Sequence, residues 1–258
     1  MTEPILEVRE LEGGYGTTRV LRGVSFRVNR GEIVVIAGRS GCGKSTLLRY
    51  LLGLARPWAG AVCFEGSDIW ADGGQALAAA RRKWGVLFQS GALLASFTLL
   101  ENVLLPLSEF TRLPPPILWR TAMRKLDLVG LAAFAESYPL EVSGGMQKRA
   151  GLARALALDP DMVFFDEPSA GLDPVTSAEL DDLILTINRT LATTMLIVTH
   201  ELPSIMAISH RVVMLDATAQ GIIAVGSARE LGEYSTDPRV TAFFGRTPLA
   251  QEAVHHVS

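Results

Sequence analysis

The chain has 258 residues, 48% of them hydrophobic, and a formal net charge of -3. That is enough apolar material for one large domain, or for a core with a subdomain, yet no apolar run approaches the roughly 18–20 residues that span a bilayer. The mild acidity gives nucleic acid no general attraction, and two cysteines, Cys42 and Cys63, make no disulfide framework. The opening MTEPILEVRE has no basic stretch ahead of an apolar one, so no secretory signal is expected and a cytosolic setting is the simplest reading.

From Ile5 to Val28 the stretches LEVRE and VLRGVSFRV alternate as short strands do, with Gly13-Gly14-Tyr15-Gly16 between them. Ile33 to Ala37 is a β-branched apolar run bounded by glycine, which suits a strand covered on both faces. Directly after it come Gly38, Arg39, Ser40, Gly41, Cys42, Gly43, Lys44, Ser45 and Thr46. Helical spacing then runs from Ser45 to Leu54, with Gly53 and Pro57 as stop signals. Strand, glycine loop and helix in this order belong to α/β nucleotide folds.

The glycines let successive backbone N–H groups turn inward around an anion. The helix aims its positive end at the same point. The pattern is G-x-x-x-x-G-K-[ST], in which Lys44 is expected to reach β- and γ-phosphates and the Ser45 hydroxyl to meet Mg²⁺. Cys42 fills a variable slot, where a small side chain is tolerated.

Gly85 to Phe88 is strand-like and ends at Gln89. Residues 91–158 then change character, with few strand-like runs and helical segments around Pro114-Pro115-Pro116. The prolines are expected to start a helix at Ile117. Val142-Ser143-Gly144-Gly145-Met146, followed by Gln147-Lys148-Arg149, opens a further helix to about Leu158. A serine and two glycines at a helix start make a second anion site, although taken alone they also fit an ordinary N-cap.

Met162-Val163-Phe164-Phe165 reads as a buried strand that ends in Asp166 and Glu167. Ligands bind at the carboxyl edge of open α/β sheets. Asp166 therefore suits the Mg²⁺ shell, and Glu167 suits the base that polarises an attacking water. SAGLD follows at Ser169 to Asp173, helical spacing runs from Leu180 to Leu191, and His200 follows the strand run Met195 to Val198. Arg211–Leu215 and Gly221–Val225 read as a closing strand pair. From about Arg246 the sequence is polar and weakly patterned, and His255-His256 there make a poor metal site.

In this order the motifs resemble the ATP-binding subunit of ABC transporters, over roughly Ile5 to Val225. By that resemblance Tyr15 is the aromatic that stacks on adenine, GRSGCGKST the Walker A loop and Gln89 the Q-loop. VSGGM is the signature, MVFFDE the Walker B strand, SAGLD the D-loop and His200 the switch histidine. Ser143, Gly144 and Gly145 are implied to bind the γ-phosphate of ATP held by the opposite subunit. By the same resemblance Asp173 is implied to lie at the dimer seam, His200 to contact the γ-phosphate, and Gln89 to sense Mg²⁺ and water.

The implied fold is an α/β P-loop NTPase (RecA-like) parallel-sheet core, with an N-terminal antiparallel β subdomain and an inserted α-helical subdomain. Residues 1–245 form one ATPase domain. Segments 1–90 and 159–245 supply the β subdomain and core, 91–158 the helical subdomain, and 246–258 a tail. The implied cofactors are ATP and Mg²⁺.

The usual signature reads LSGGQ, whereas here Val142 and Met146 flank the serine and glycines. SGGM followed by Lys148-Arg149 is similar to the ATPases of Mla/Mce-type lipid transporters. Phe88 to Leu107 and Phe164 to Ser177 fit that subgroup, while Leu94-Ala95 replace an acidic residue expected near the Q-loop. The subgroup implies a homodimer beneath an integral membrane permease dimer, peripheral on the cytoplasmic side of the inner membrane. It also implies an MCE-domain lipid-binding protein and a small STAS-domain protein, and Asp237 to Pro248 resembles its C-terminal extension. An importer ATPase for amino acids or another small solute is the alternative within the family. A non-transport ATPase and a nucleotide-binding regulatory module without turnover are the others.

Overall fold

The computed structural model describes residues 4–245. β1 (Leu6–Tyr15) pairs antiparallel with β2 (Thr18–Val28). Gly13 and Gly14 belong to β1, not to the turn expected there, because pairing continues to Tyr15 and Thr18 through register shifts. β-Bulges absorb the irregularity, and the connection shrinks to Gly16 and Thr17.

β3 (Ile33–Ala37) is buried along its whole length and leads through the glycine loop into α1 (Lys44–Leu51). β4 (Ala59–Phe64) and β5 (Ser67–Asp68) complete an antiparallel sheet in the order β2-β1-β4-β5. α2 (Gln75–Arg81) precedes β6 (Trp84–Leu87). Three helices follow with no strand between them: α3 (Leu99–Phe110), α4 (Pro115–Leu128) and α5 (Gly144–Ala155).

α4 begins two residues before the expected Ile117, since extended Pro114 is its N-cap and Pro115 its first residue. A first-turn proline loses no helical hydrogen bond. At α3, Thr98 and Glu101 form a reciprocal capping box.

The chain then returns to alternation: β7 (Met162–Asp166), α6 (Pro174–Leu191), β8 (Thr194–Val198), α7 (Leu202–Ile208), β9 (Arg211–Asp216), β10 (Gly221–Gly226), α8 (Ala228–Tyr234) and α9 (Pro238–Phe243). The second sheet has the order β10-β9-β3-β8-β7-β6. Neighbours from β9 to β6 are parallel, and β10 pairs antiparallel at the edge. α9 falls within the expected extension, whose end at Thr247-Pro248, like His255-His256, lies outside the described residues.

This sheet is a middle layer. Ile33, Val35 and Ala37 join the apolar cluster shared with α3 to α6, while Val34 and Ile36 join the cluster shared with β1, β2, β4 and α1. Alternate residues of one strand thus serve two cores, which explains an unbroken apolar run. Trp84 links the sheets, its ring edge-on to Phe64 and Phe164 at 5.3 Å each.

Candidate functional site

Strand register sets the site. Ile36 of β3, Val198 of β8 and Asp166 of β7 stand in one row across the parallel sheet. Each strand then releases its functional residues at the same edge: the Gly38–Thr46 loop, His200 and Glu167. With strands about 4.8 Å apart, the loop and the acids lie within about 10 Å.

Lys44 is buried at the first turn of α1, and its Nζ donates to Gly38 O at 2.8 Å and Arg39 O at 3.3 Å. It also stands 3.9 Å from Glu167 Oε1. The loop closes around its own lysine because Gly38 has no side chain. A Cβ there would lie 2.5 Å from Leu215 O and 2.6 Å from Cys42 Sγ, at a φ of +148°. Arg39, Ser40, Gly41 and Ser45 are exposed around this turn, while Gly43 and Thr46 are buried. Tyr15 Oη lies 2.9 Å from Thr46 Oγ1, which sets the exposed Tyr15 ring beside the loop.

Cys42 points the other way. Its side chain is 1% exposed within the core shared with β1 and β2, and burial pushes its thiol pKa up. Its backbone N–H donates to Arg39 O at 3.2 Å within the loop.

Glu167 adopts φ +46°, in the left-handed region that few non-glycine residues occupy. Its backbone N–H still reaches Val198 O at 2.8 Å. His200 Nδ1 lies 2.9 and 3.0 Å from the two Glu167 carboxylate oxygens. An ionised carboxylate only accepts, so Nδ1 carries the proton in this pairing. Strained backbone of this kind clusters at functional sites.

Burial, and then neighbouring Glu167, raise the Asp166 pKa, against the pull of Lys44 and Lys148. Adjacent acids of hard oxygen donors, with the exposed Ser45 hydroxyl nearby, fit a small divalent cation. Gln89 completes this edge. β6 and β7 are in register at Leu87 and Phe165, so Gln89 emerges two residues on, opposite Glu167.

A second group gathers elsewhere. Ser143 caps α5, its Oγ accepting from Met146 N at 3.3 Å. Asp173 caps α6, accepting from Val175 N and Thr176 N, and the Thr176 hydroxyl holds its carboxyl below the usual range. Gly144 is exposed. Gly145 packs on the same threonine, where an added Cβ would lie 2.4 Å from Thr176 Cγ2. The signature and the D-loop aspartate therefore form one packed unit. Among the described residues, no hydrogen bond or ion pair links Ser143, Gly144 or Gly145 to Lys44, Glu167 or His200. The two groups are thus hydrogen-bonded separately, one around Lys44 and Glu167, the other around Ser143 and Asp173.

Sequence reasoning gave no site role to Lys148 and Arg154, which converge on residues 89–92, or to Asn102, which accepts from Arg154 at 3.4 Å. The signal was present: Lys148 falls between Gly145 and Leu152 on the apolar stripe of α5, where a charge has no place unless it is held.

A family model described as ABC transporter matches residues 21–170. The chain belongs to the ABC transporter family. As an ABC cassette it is an ATP-binding and ATP-hydrolysing protein, with the α/β fold expected from its sequence. It is 41% identical over 240 residues to the intermembrane phospholipid transport system ATP-binding protein MlaF of Escherichia coli K12, covering 93% of this chain and 88% of that one. The Haemophilus influenzae MlaF is 37% identical over 243 residues, covering 94% and 91%. The probable ribonucleotide transport ATP-binding protein mkl of Mycobacterium leprae is 45% identical over 195 residues, 76% of this chain but only 56% of that protein.

Among solved structures, cbiO1 of Clostridium perfringens, part of the transporter complex cbiONQ, superposes with a TM-score of 0.82 at 26% identity, covering 89% and 90% of the two chains. A dimeric ATP-binding cassette in a post-hydrolysis state with ADP and Pi superposes with a TM-score of 0.78 at 29% identity, covering 87% and 99%. No helix among the described residues is long and apolar enough to cross a membrane.

Proposed function

We propose that the chain is the ATPase that drives phospholipid movement between membranes, working as a homodimer under an integral membrane permease dimer on the cytoplasmic face. The division of the site carries the reading: Lys44, Asp166, Glu167 and His200 converge at one sheet edge, while Ser143, Gly145 and Asp173 are packed apart from them. A second copy supplies the missing half. The similarity to MlaF over 93% of the chain supports phospholipid as cargo. An MCE-domain lipid-binding protein and a small STAS-domain protein are the partners that go with it, and residues 91–158 form the subdomain that moves against the core.

In this reading the loop N–H groups from Gly38 to Thr46 and the Lys44 ammonium bind the phosphates, and Tyr15 lies against the base. Glu167, held by His200, orients the attacking water and takes its proton. His200 and the opposing Ser143, Gly144 and Gly145 hold the γ-phosphate, with Asp173 at the seam. Ser45, Asp166 and Gln89 are the residues that would hold Mg²⁺, which when bound neutralises charge on the β- and γ-oxygens. Fixed charge and dipoles aimed at the transferred phosphate supply much of the rate.

Glu167→Gln tests the division of labour. With ATP it is expected to accumulate closed dimers, read by light scattering on a sizing column, while turnover falls by about 10²-fold or more. Monomers throughout, or rapid turnover, would overturn it. Isolation of the membrane complex tests the cargo. An MCE-domain protein in stoichiometric amount supports phospholipid; a small-solute-binding protein in its place refutes it.

A further inference from the structure

α5 carries two cations, the buried Lys148 and the half-buried Arg154, that form no ion pair among the described residues. Lys148 is 6% exposed, and its Nζ donates to the main-chain carbonyl of Gln89. Arg154 donates to Ala92 O at 2.8 Å and Gly91 O at 3.0 Å. Three carbonyls of the four residues 89–92 therefore end on one helix.

The two contacts differ in kind. Arg154 is braced. Its Nη1 lies 3.4 Å from Asn102 Oδ1, and Asn102, fully buried on α3, also accepts from Leu94 N at 2.8 Å and donates to Thr98 O at 2.9 Å. Among the described residues, Lys148 Nζ has the Gln89 carbonyl as its one hydrogen-bond partner. Burial lowers its pKa, and the charge of Asp166 opposes that shift. A buried ammonium without such partners costs several kcal/mol. Its single carbonyl is therefore a stringent tether.

We infer that Lys148 is a positioning residue, one that sets Gln89 against the Asp166 edge and makes it follow the signature helix. The inference rests on the placement of Gln89 in the ATP site proposed above. α5 begins with Ser143 to Gly145, the half-site offered to the opposite subunit. One turn later Lys148 holds the backbone of Gln89, the residue expected to sense Mg²⁺ and water. Engagement of the serine end by the partner's ATP thus reaches Gln89 of the same chain through four residues of rigid helix and one hydrogen bond. Arg154, on the same helix, carries Gly91 and Ala92 along, so residues 89–92 follow α5 together.

The test uses the full-length chain with Lys148→Met, Lys148→Arg, Gln89→Ala and the Gln89→Ala/Lys148→Met double variant. Removing a charge-assisted bond predicts a kcat about 10-fold lower for Lys148→Met, with KM for ATP within about twofold. Lys148→Arg restores kcat to within about threefold, since arginine keeps donor and charge. In a Glu167→Gln background, Lys148→Met raises the Mg²⁺ needed for half-maximal ATP-driven dimer by about threefold or more. The double variant turns over as slowly as Gln89→Ala alone, because residues acting through one another are not additive.

A wild-type kcat for Lys148→Met, or losses that multiply in the double variant, overturns the inference. A slow Gln89→Ala beside a fast Lys148→Met sinks Lys148 alone. A wild-type rate for Gln89→Ala removes Gln89 from the site, and this inference with it. Should Lys148→Met not fold, Lys148→Gln carries the same expectations.

Discussion

At the scale of single residues, the site depends on charge placed where backbone geometry leaves room for it. Lys44 folds its ammonium onto the carbonyls of its own loop, held ready for an anion. Lys44→Ala is expected to weaken ATP binding by roughly 10–100-fold, the value of one or two charge-assisted hydrogen bonds, read by titration with a fluorescent nucleotide. Unchanged affinity would remove Lys44 from the site. These groups were legible in the sequence because each sits in a short window: a glycine loop, two acids after an apolar run, a histidine after another. Lys148 was not, because its bond joins residues 59 positions apart.

At the scale of elements, the contact between α5 and α6 is the most specific. Gly145 has no space for a side chain because Thr176 Cγ2 occupies it, and Thr176 is fixed by its hydrogen bond to Asp173 Oδ2. Gly145→Ala is expected to destabilise by about 1–3 kcal/mol, as overpacking does. Thr176→Ser removes the obstructing methyl and keeps the hydroxyl, so Gly145→Ala/Thr176→Ser should recover most of that loss in denaturant unfolding. Failure to recover would mean that the clash is not with Thr176.

The neighbouring contact between α6 and α7 is expected to respond to pH. Asp181 is 5% exposed, its Oδ1 has no partner among the described residues, and burial raises its pKa despite the Ser204 hydroxyl. The neutral form is the one the fold favours. The stabilisation it gives is complete below the unfolded pKa of about 3.9 and lost as pH rises through the folded value. Asp181→Asn cannot titrate. Its melting temperature should match wild type near pH 4 and exceed it by about 2–4 °C at pH 8. A constant difference across that range would refute the assignment.

At the scale of the whole molecule, the proposed division of the site between two copies makes turnover a property of pairs. ATPase activity per chain should rise with protein concentration and level off when dimers saturate, followed by dilution from micromolar to nanomolar. A flat rate per chain would show that one copy hydrolyses ATP alone. The middle sheet makes the pairing workable: it fixes the Lys44–Glu167 edge, while α3 to α5 present the signature from a separate layer.

The sequence by itself determined the chemical inventory, because a phosphate loop, a carboxylate pair and a switch histidine are local patterns whose physics needs only their immediate neighbours. It also determined the fold class, through apolar runs too continuous for a one-faced sheet and a helical stretch that interrupts them. Tertiary structure decided how those groups are shared out. Register across β3, β8 and β7 brought Lys44 and His200 to Glu167. Packing set the signature against Thr176, and side-chain-to-backbone hydrogen bonds turned Lys148 and Arg154 into anchors for a loop far away in the chain. Such contacts depend on distance in space, which no short window of residues encodes.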